Sequence, residues 1–294
     1  MIATVELARP SPRSGEPLRT RWRTWGGDAA ADAVPVLCLH MLGLDAGSFA
    51  GFAAAVGGCH AVHAYDQRGH GLAGDQPPSG FDAWVDDAEA AVDRLAARGA
   101  RRVHLVGSSM GGAVAATLAG RLGAGRIASL CVVATPARGE PAFAGRAGAR
   151  AAGGVAAAVP ATLERWFGPG HAAGPEAAAA ANARAALLRM TPAGSDASWR
   201  ALAAFPGCDN LPAPMPPALC VAFGDDRSTP PAALDAIADA LRAAGADARR
   251  LDIPGVGHGG LLSRPAELAR AWRAFVADTP PPPEPSAPHP CKTP

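Results

Sequence analysis

Short apolar runs alternate with longer amphipathic segments along most of the chain. The apolar runs are typical of strands covered on both faces, as the strands of a parallel sheet are. They span residues 34–40, 61–66, 102–107, 130–135, 218–223 and 248–253, and two strand-like segments precede them near residues 4–7 and 19–25.

Segments with helical periodicity lie between the predicted strands. The spacing of their apolar residues predicts helices over 49–56, 81–98, 110–122, 231–244 and 265–276. This alternation of strands and helices predicts an α/β fold, with a mostly parallel sheet and helices on both of its faces.

One interval interrupts the alternation. Residues 136–212 contain no strand pattern and consist of Ala-rich stretches separated by Gly and Pro. We interpret this interval as an all-helical insertion that forms a cap, or lid, over the ends of the core strands. The core then comprises residues 1–135 and 213–278, and the Pro-rich segment 279–294 is predicted to be a disordered or polyproline tail.

Composition and charge exclude several classes of partner. The 294 residues are enough for one large domain with an insertion, and a net charge of +1 gives no basic face for nucleic acid or an anionic membrane. We find neither an apolar run of membrane-spanning length, about 18 residues, nor an export signal, and therefore expect a cytoplasmic protein. The cysteines show no C-x-x-C spacing, so we expect free thiols and no metal site.

Candidate chemistry begins with two adjacent serines in the segment RVHLVGSSMGGAVA, residues 102–115. Only Ser109 has glycines two positions away on both sides, at Gly107 and Gly111. This G-x-S-x-G pattern closes a predicted strand and opens a predicted helix that starts with small residues, which is typical of a nucleophile elbow. We therefore predict Ser109 as a nucleophile; the alternative is a Gly-rich turn without chemistry.

A serine hydroxyl needs an imidazole to accept its proton and a carboxylate to orient that imidazole. His258 follows the last predicted strand in a glycine-flanked loop and is the predicted base, while His40 and His70 come too early and are given structural roles. Asp226, after the strand 218–223, is the predicted acid. Asp225 and Asp252 remain alternatives.

An oxyanion formed by attack on an acyl carbon needs backbone N–H donors. One is expected from Met110, the residue after the serine, and the other from the loop after the first parallel-type strand, where Leu42 is the candidate. If that loop is an ordinary turn, only half of the oxyanion hole is present.

With Ser109, Asp226 and His258 in this order, together with HMLG (40–43) and DQRGHG (66–71), the chain resembles the α/β-hydrolase superfamily over residues 15–278. The DRSTPP run that starts at Asp226 matches the place where such hydrolases carry their acid. The resemblance also implies that Asp66 and Arg68 brace loops and do not react.

The predicted cap shows a narrower likeness. ATLERWF (161–167) and the segment 187–205 resemble the cap of 3-oxoadipate enol-lactonases, which hydrolyse an enol-lactone without a cofactor. The resemblance implies that Trp166 lines the pocket, unless it is a core residue of the cap. Met41 stands where many relatives have glycine. A lactone that bears a carboxylate would need a cap arginine, and Arg138, Arg146, Arg165 and Arg189 are equally eligible.

We therefore predict a cofactor-independent, metal-free serine hydrolase that cleaves a small carboxylic ester or lactone through an acyl-enzyme. The alternatives are a carbon-carbon bond hydrolase or an acyltransferase with the same triad, and a non-catalytic binding protein of the same fold.

Overall fold

The computed structural model describes residues 1–8, 16–27 and 33–279, without the side chains of residues 148–153. Apart from its first residue, the predicted tail 279–294 lies outside the described residues.

The described strands form one eight-stranded sheet with the order β1-β2-β4-β3-β5-β6-β7-β8. The pairs β1–β2 and β2–β4 are antiparallel, and every other neighbouring pair is parallel. The prediction of a mostly parallel sheet is therefore confirmed. The strands are β1 (Ile2–Leu7), β2 (Leu18–Trp25), β3 (Val36–Leu39), β4 (Val62–Tyr65), β5 (Val103–Ser108), β6 (Ile127–Val133), β7 (Ala218–Phe223) and β8 (Ala248–Ile253).

Helices cover both faces of the sheet, because alternate strand residues point to opposite sides. Residues of α2, α3 and α7 pack with Leu37 and Leu39 on one face, and residues of α1 and α9 pack with Val36 and Cys38 on the other. These helices are α1 (Ala50–Val56), α2 (Phe81–Ala96), α3 (Met110–Leu122), α7 (Pro231–Ala243) and α9 (Pro265–Asp278), with short 3₁₀ turns at Ala46–Phe49 and Gly71–Ala73.

Three helices lie between β6 and β7, inside the interval predicted to be helical: α4 (Pro141–Phe167), α5 (Ala177–Leu188) and α6 (Pro192–Ala203). We call them the inserted helices. α4 is broken at Gly154, which has a φ of 79°, so it forms two arms. A shorter helix, α8 (Gly260–Ser263), precedes α9. No helix in the described part of the chain is both long and apolar enough to cross a membrane.

Strand β6 differs from its predicted bounds of 130–135. It begins at Ile127, because the buried hydroxyl of Ser129, which interrupts the apolar run, is paired with the His104 ring at 2.7 Å on β5. It ends at Val133, because Ala134 adopts a φ of 47°, outside the range of a strand, although its N–H still donates to the Val221 carbonyl at 2.9 Å. The start of β6 could not be predicted from the apolar pattern, because Ser129 interrupts that pattern and its hydrogen-bond partner lies on the neighbouring strand.

The described cysteines are free thiols, and those on strands are buried. Burial raises the pKa of Cys38 and Cys131 well above the ordinary value, and that of Cys220 to about 12. These thiols therefore pack as small apolar side chains.

Buried histidines with lowered pKa values make stability depend on pH, and three of them show large shifts. Burial lowers the pKa of His63 to about 4 and the pKa of His70 and His104 to about 3. Below about pH 6.5 the unfolded chain binds protons that the folded chain excludes, so the free energy of unfolding falls by up to about 1.4 kcal/mol per pH unit for each histidine. We expect urea denaturation to show this loss between pH 6.5 and 4.

His104→Gln provides the matched variant. It keeps a polar partner for Ser129 but removes one titrating ring. The slope of the free energy of unfolding against pH is therefore expected to fall by up to about 1.4 kcal/mol per pH unit. An unchanged slope would show that His104 does not contribute to the pH dependence.

Candidate active site

The turn from β5 into α3 holds Ser109 in an unusual backbone conformation. Its φ is 53° and its ψ is −116°. The Ser109 N–H donates to the Val133 carbonyl at 2.8 Å, and its carbonyl accepts from the N–H groups of Gly112 at 2.9 Å and Ala113 at 3.1 Å. Hydrogen bonds to both the neighbouring strand and the following helix therefore hold the turn.

Glycines are required around this turn because backbone segments lie against one another. A Cβ at Gly107 would collide with the backbone of Gly111, and one at Gly111 would collide with the Leu39 carbonyl. A Cβ at Gly112 would collide with the side chain of Thr135. This close packing explains why the sequence has small residues on both sides of the serine pair.

Ser109 lies at one end of a buried hydrogen-bond chain. Its Oγ is 3.1 Å from Nε2 of His258, and Nδ1 of the same ring is 2.6 Å from Oδ2 of Asp226. Because the carboxylate can only accept, Nδ1–H donates to it and Nε2 is left to accept the serine O–H. The exposed fractions of Ser109, His258 and Asp226 are 8%, 4% and 5%, so the chain is shielded from solvent. The neighbouring Ser108 Oγ is buried and has no hydrogen-bond partner among the described residues.

The turn after β7 distinguishes the candidate carboxylates. The second oxygen of Asp226, Oδ1, accepts the N–H groups of Ser228 at 2.7 Å and Thr229 at 2.8 Å, which fixes the side chain toward His258. Asp225 is exposed, and Asp252 is paired with an arginine, Arg250, at 3.0 Å. Of the three candidates, only Asp226 meets the imidazole.

The loop after β3 lies against the first turn of α3, as the contact between Gly111 and the Leu39 carbonyl requires. Leu42 and Met110 are both buried, and within the described part of the chain neither backbone N–H has a hydrogen-bond acceptor. Met41 is not among the non-glycine residues with positive φ, and the positive φ of this loop falls at Gly43. The backbone of Met41 is therefore outside the left-handed region that favours glycine.

His40 fastens the start of this loop to the loop after β4. Its Nδ1–H donates to the Met41 carbonyl at 2.9 Å, and its Nε2 accepts the Gln67 N–H at 3.0 Å. Burial lowers the pKa of His40, although the Met41 carbonyl and nearby carboxylates oppose the shift, so the ring stays neutral and keeps both bonds.

Asp66 and Arg68 brace the loops as the resemblance implied. The Asp66 carboxylate accepts the N–H of Ala46 at 3.0 Å with one oxygen and that of Leu72 at 2.8 Å with the other. Arg68 binds Asp87 through two hydrogen bonds, of 2.8 and 3.1 Å. These buried contacts hold the loops at the carboxyl edge of the sheet.

The inserted helices reach the hydrogen-bond chain through Trp166. Its ring centroid is 5.9 Å from that of His258, and its Cη2 lies next to Gly43. Its carbonyl accepts the Gly259 N–H at 3.0 Å and leaves no room for a Cβ at Gly257. Sequence reasoning selected the Trp166 ring but missed its carbonyl; the glycines on both sides of His258 were the available signal.

An ion pair joins the inserted helices to the loop after β3. Nη2 of Arg189 is 2.6 Å from Oδ2 of Asp45, whose other oxygen accepts the Gly47 N–H at 2.8 Å. Burial acts to raise the pKa of Asp45, but the hydrogen bond from Arg189 and the other nearby donors and charges bring it below its ordinary value.

Comparison with known proteins identifies the family. The model of the alpha/beta hydrolase family matches residues 36–271. The chain belongs to this family. The match spans most of the sheet, the inserted helices and all three residues of the hydrogen-bond chain. No curated protein matches the sequence. Within the described residues of this α/β hydrolase, no group of three or more His, Cys, Asp or Glu side chains is arranged to hold a metal ion.

Solved structures of other hydrolases share the fold. An esterase from Thermogutta terrifontis has a TM-score of 0.80 at 22% identity, covering 94% of this chain and 99% of its own. An enol-lactonase from Burkholderia xenovorans has a TM-score of 0.76 at 24% identity, with 88% and 96% covered, and an esterase from Rhodococcus has a TM-score of 0.70 at 22% identity, with 89% and 95% covered. The predicted α/β-hydrolase fold is therefore confirmed.

The close packing at the turn can be tested by adding one methyl group. Gly107→Ala places a Cβ against backbone that cannot move aside, so we expect a loss of roughly 2–4 kcal/mol in the free energy of unfolding, measured by urea denaturation. Gly125→Ala is the control, because nothing lies within 4 Å of its added Cβ and its φ is not positive. Equal stability of the two variants would contradict the close packing.

Proposed function

We propose that the protein is a serine hydrolase that cleaves a small carboxylic ester or lactone through an acyl-enzyme, without a cofactor. The observation that carries this proposal is the buried hydrogen-bond chain from Ser109 Oγ through His258 to Asp226. It unites a potential nucleophile, an imidazole placed to accept its proton and an orienting carboxylate, which acyl transfer requires.

In the proposed reaction, Ser109 Oγ attacks the acyl carbon of the substrate while His258 Nε2 takes the hydroxyl proton. Asp226 holds Nδ1–H, which keeps Nε2 free to accept, and stabilises the imidazolium that forms. The two amides that bind the other carboxylate oxygen of Asp226 keep the side chain aimed at the ring.

The oxyanion is bound by the N–H groups of Met110 and Leu42 in this proposal. Support comes from the position of Met110 at the first turn of α3, where helix N–H groups lack partners, and from the packing of that turn against the loop after β3. His258 then gives its proton to the leaving alcohol. It next activates a water molecule that releases the acid and frees Ser109.

The inserted helices act as the lid in this proposal, with Trp166 as a pocket residue. The contact of its ring with His258 at 5.9 Å supports this role. The narrow likeness to enol-lactonases and the shared fold of esterases make esters and lactones the first substrates to test.

Ser109→Ala and Asp226→Asn test the proposed roles. The first removes the nucleophile and the second favours the wrong imidazole tautomer, so we expect kcat to fall roughly 10,000-fold in each. The measurement is the hydrolysis of a short-chain aryl ester and of an enol-lactone. Asp225→Asn is the matched control and is expected to keep its rate. Variants that stay folded and keep full activity would refute the proposal.

Covalent labelling distinguishes the two adjacent serines. A fluorophosphonate probe is expected to modify Ser109, located by mass spectrometry of the peptide, and to react equally well with Ser108→Ala. Labelling of Ser108, or labelling of the Ser109→Ala variant, would show that the assignment of Ser109 as the nucleophile is wrong. Analysis of the products formed in the presence of an added alcohol separates hydrolysis from acyl transfer. A substrate with a cleavable carbon-carbon bond tests for carbon-carbon hydrolysis. Ligand binding without turnover would indicate a binding protein.

A further inference from the structure

Leu42, the proposed second oxyanion donor, lies in a tight turn of the loop after β3. The Leu44 N–H donates to the Met41 carbonyl at 3.2 Å, and Gly43 has a φ of 93°. Asp45 follows this turn directly. The position of the Leu42 N–H therefore depends on the contacts that hold Asp45.

Asp45 joins this turn to the 3₁₀ turn that follows it. As the N-cap residue, it accepts the Gly47 N–H on Oδ1 at 2.8 Å, and its carbonyl accepts the N–H and the hydroxyl of Ser48 at 3.0 and 2.7 Å. These local bonds fix its backbone and one carboxylate oxygen. The second oxygen, Oδ2, is bound at 2.6 Å by Arg189, which lies 144 positions further along the chain.

Arg189 reaches Asp45 from the end of α5. Its backbone is held at the C-cap of that helix, where its N–H donates to the Ala186 carbonyl at 3.0 Å. The Arg189 side chain is half exposed, whereas that of Asp45 is only 11% exposed. Burying a carboxylate is costly unless it is paired. The ion pair therefore stabilises the docked end of α5 and the position of Asp45 together.

Apolar contacts bring the same end of α5 against the turn. A Cβ at Gly43 would meet the Leu187 side chain and the Trp166 ring. Leu187 also belongs to a buried apolar cluster that includes Met41 and Leu44. The turn is therefore covered by side chains of the inserted helices, and the ion pair holds its end.

We propose that Arg189 is a positioning residue: through Asp45 it holds the loop that carries the Leu42 N–H in the geometry that binds the oxyanion. This inference rests on the proposed function and adds a residue of the inserted helices to it. Arg189 was one of four arginines equally eligible to bind a substrate carboxylate, and its pairing with Asp45 gives it this role instead. The inserted helices then serve the chemical step as well as covering the site.

The first test is the kinetics of Arg189→Gln with a short-chain aryl ester. Misplacing a group by about 1 Å can cost about 100-fold in rate, and an oxyanion donor acts on the transition state. We therefore expect kcat to fall roughly 10- to 100-fold, while KM changes by less than about 2-fold. Arg189→Lys keeps a cation and is expected to recover part of the rate. Rates are expressed per serine labelled to completion by a fluorophosphonate, so that unfolded protein is not counted.

A double-mutant cycle tests whether Arg189 acts through Asp45. Asp45→Asn keeps an oxygen for the Gly47 N–H but removes the negative charge. If the pair acts as a unit, each single variant has a lower kcat, and the double variant is about as slow as the slower single variant. Losses that multiply in the double variant would overturn the proposal, because the two residues would then act independently.

A transition-state analogue reports on the oxyanion directly. An aryl boronic acid forms a tetrahedral, anionic adduct with the serine oxygen, and its inhibition constant is expected to rise in Arg189→Gln by about the factor by which kcat falls. An unchanged inhibition constant would overturn the proposal, because the loss in kcat would then arise elsewhere.

Glu176→Gln is the matched control. Glu176 directly precedes α5 and pairs with Arg264 at 2.8 Å, so this variant neutralises an ion pair at the opposite end of the same helix. It is expected to keep its kcat. An equal loss in Glu176→Gln would show that the docking of α5 as a whole sets the rate, and would overturn a specific role for the contact between Arg189 and Asp45.

Two results separate failure of this inference from failure of the proposed function. Ser109-dependent hydrolysis that is unchanged in Arg189→Gln would overturn the inference and leave the proposed function standing. Wild-type protein without Ser109-dependent turnover would overturn both.

Discussion

The site depends on the close approach of three backbone segments at Ser109. β5 turns sharply into α3, and the first turn of that helix lies against the end of β3. A non-glycine residue with positive φ costs of the order of 1–3 kcal/mol and persists only where surrounding contacts enforce it. At Ser109 these contacts are the hydrogen bond to the Val133 carbonyl and the packing of the glycines, so contacts with the sheet offset the cost of its backbone conformation.

Neutral histidines and satisfied carboxylates arrange the loops around this turn. The buried ring of His40 joins two loops because its two nitrogens have different roles, one donating and one accepting. Asp66 uses both of its oxygens on backbone N–H groups, as Asp226 uses one oxygen on backbone and the other on His258. Buried polar groups of this kind are stable only when their partners are present, which makes the arrangement of the loops specific.

Much of the fold could be predicted from the sequence, because apolar periodicity and the spacing of Gly107 and Gly111 around Ser109 are visible in short segments of the chain. The serine, histidine and aspartate that meet were also selected, since each lies at the end of a recognisable strand. Other features depend on neighbours distant in the chain. Ser129 is buried beside His104. Asp226 differs from Asp225 because backbone N–H groups of the turn after β7 bind its carboxylate, and only the folded structure shows this contact. Such partners cannot be predicted from the pattern of residues in one short segment of the sequence.

The hydrogen bond from the Gly259 N–H to the Trp166 carbonyl makes the last turn of α4 part of the support for the loop that carries His258. Main-chain contacts do not depend on the side chain at that position, but they do depend on the length and direction of the helix that presents them. In a chimaera that exchanged the inserted helices with those of another family member, the first arm of α4 would have to keep its packing through Phe143 and Ala147. The junction at Trp166 would have to be kept in register with the core, because a shift of one residue there would displace the imidazole itself.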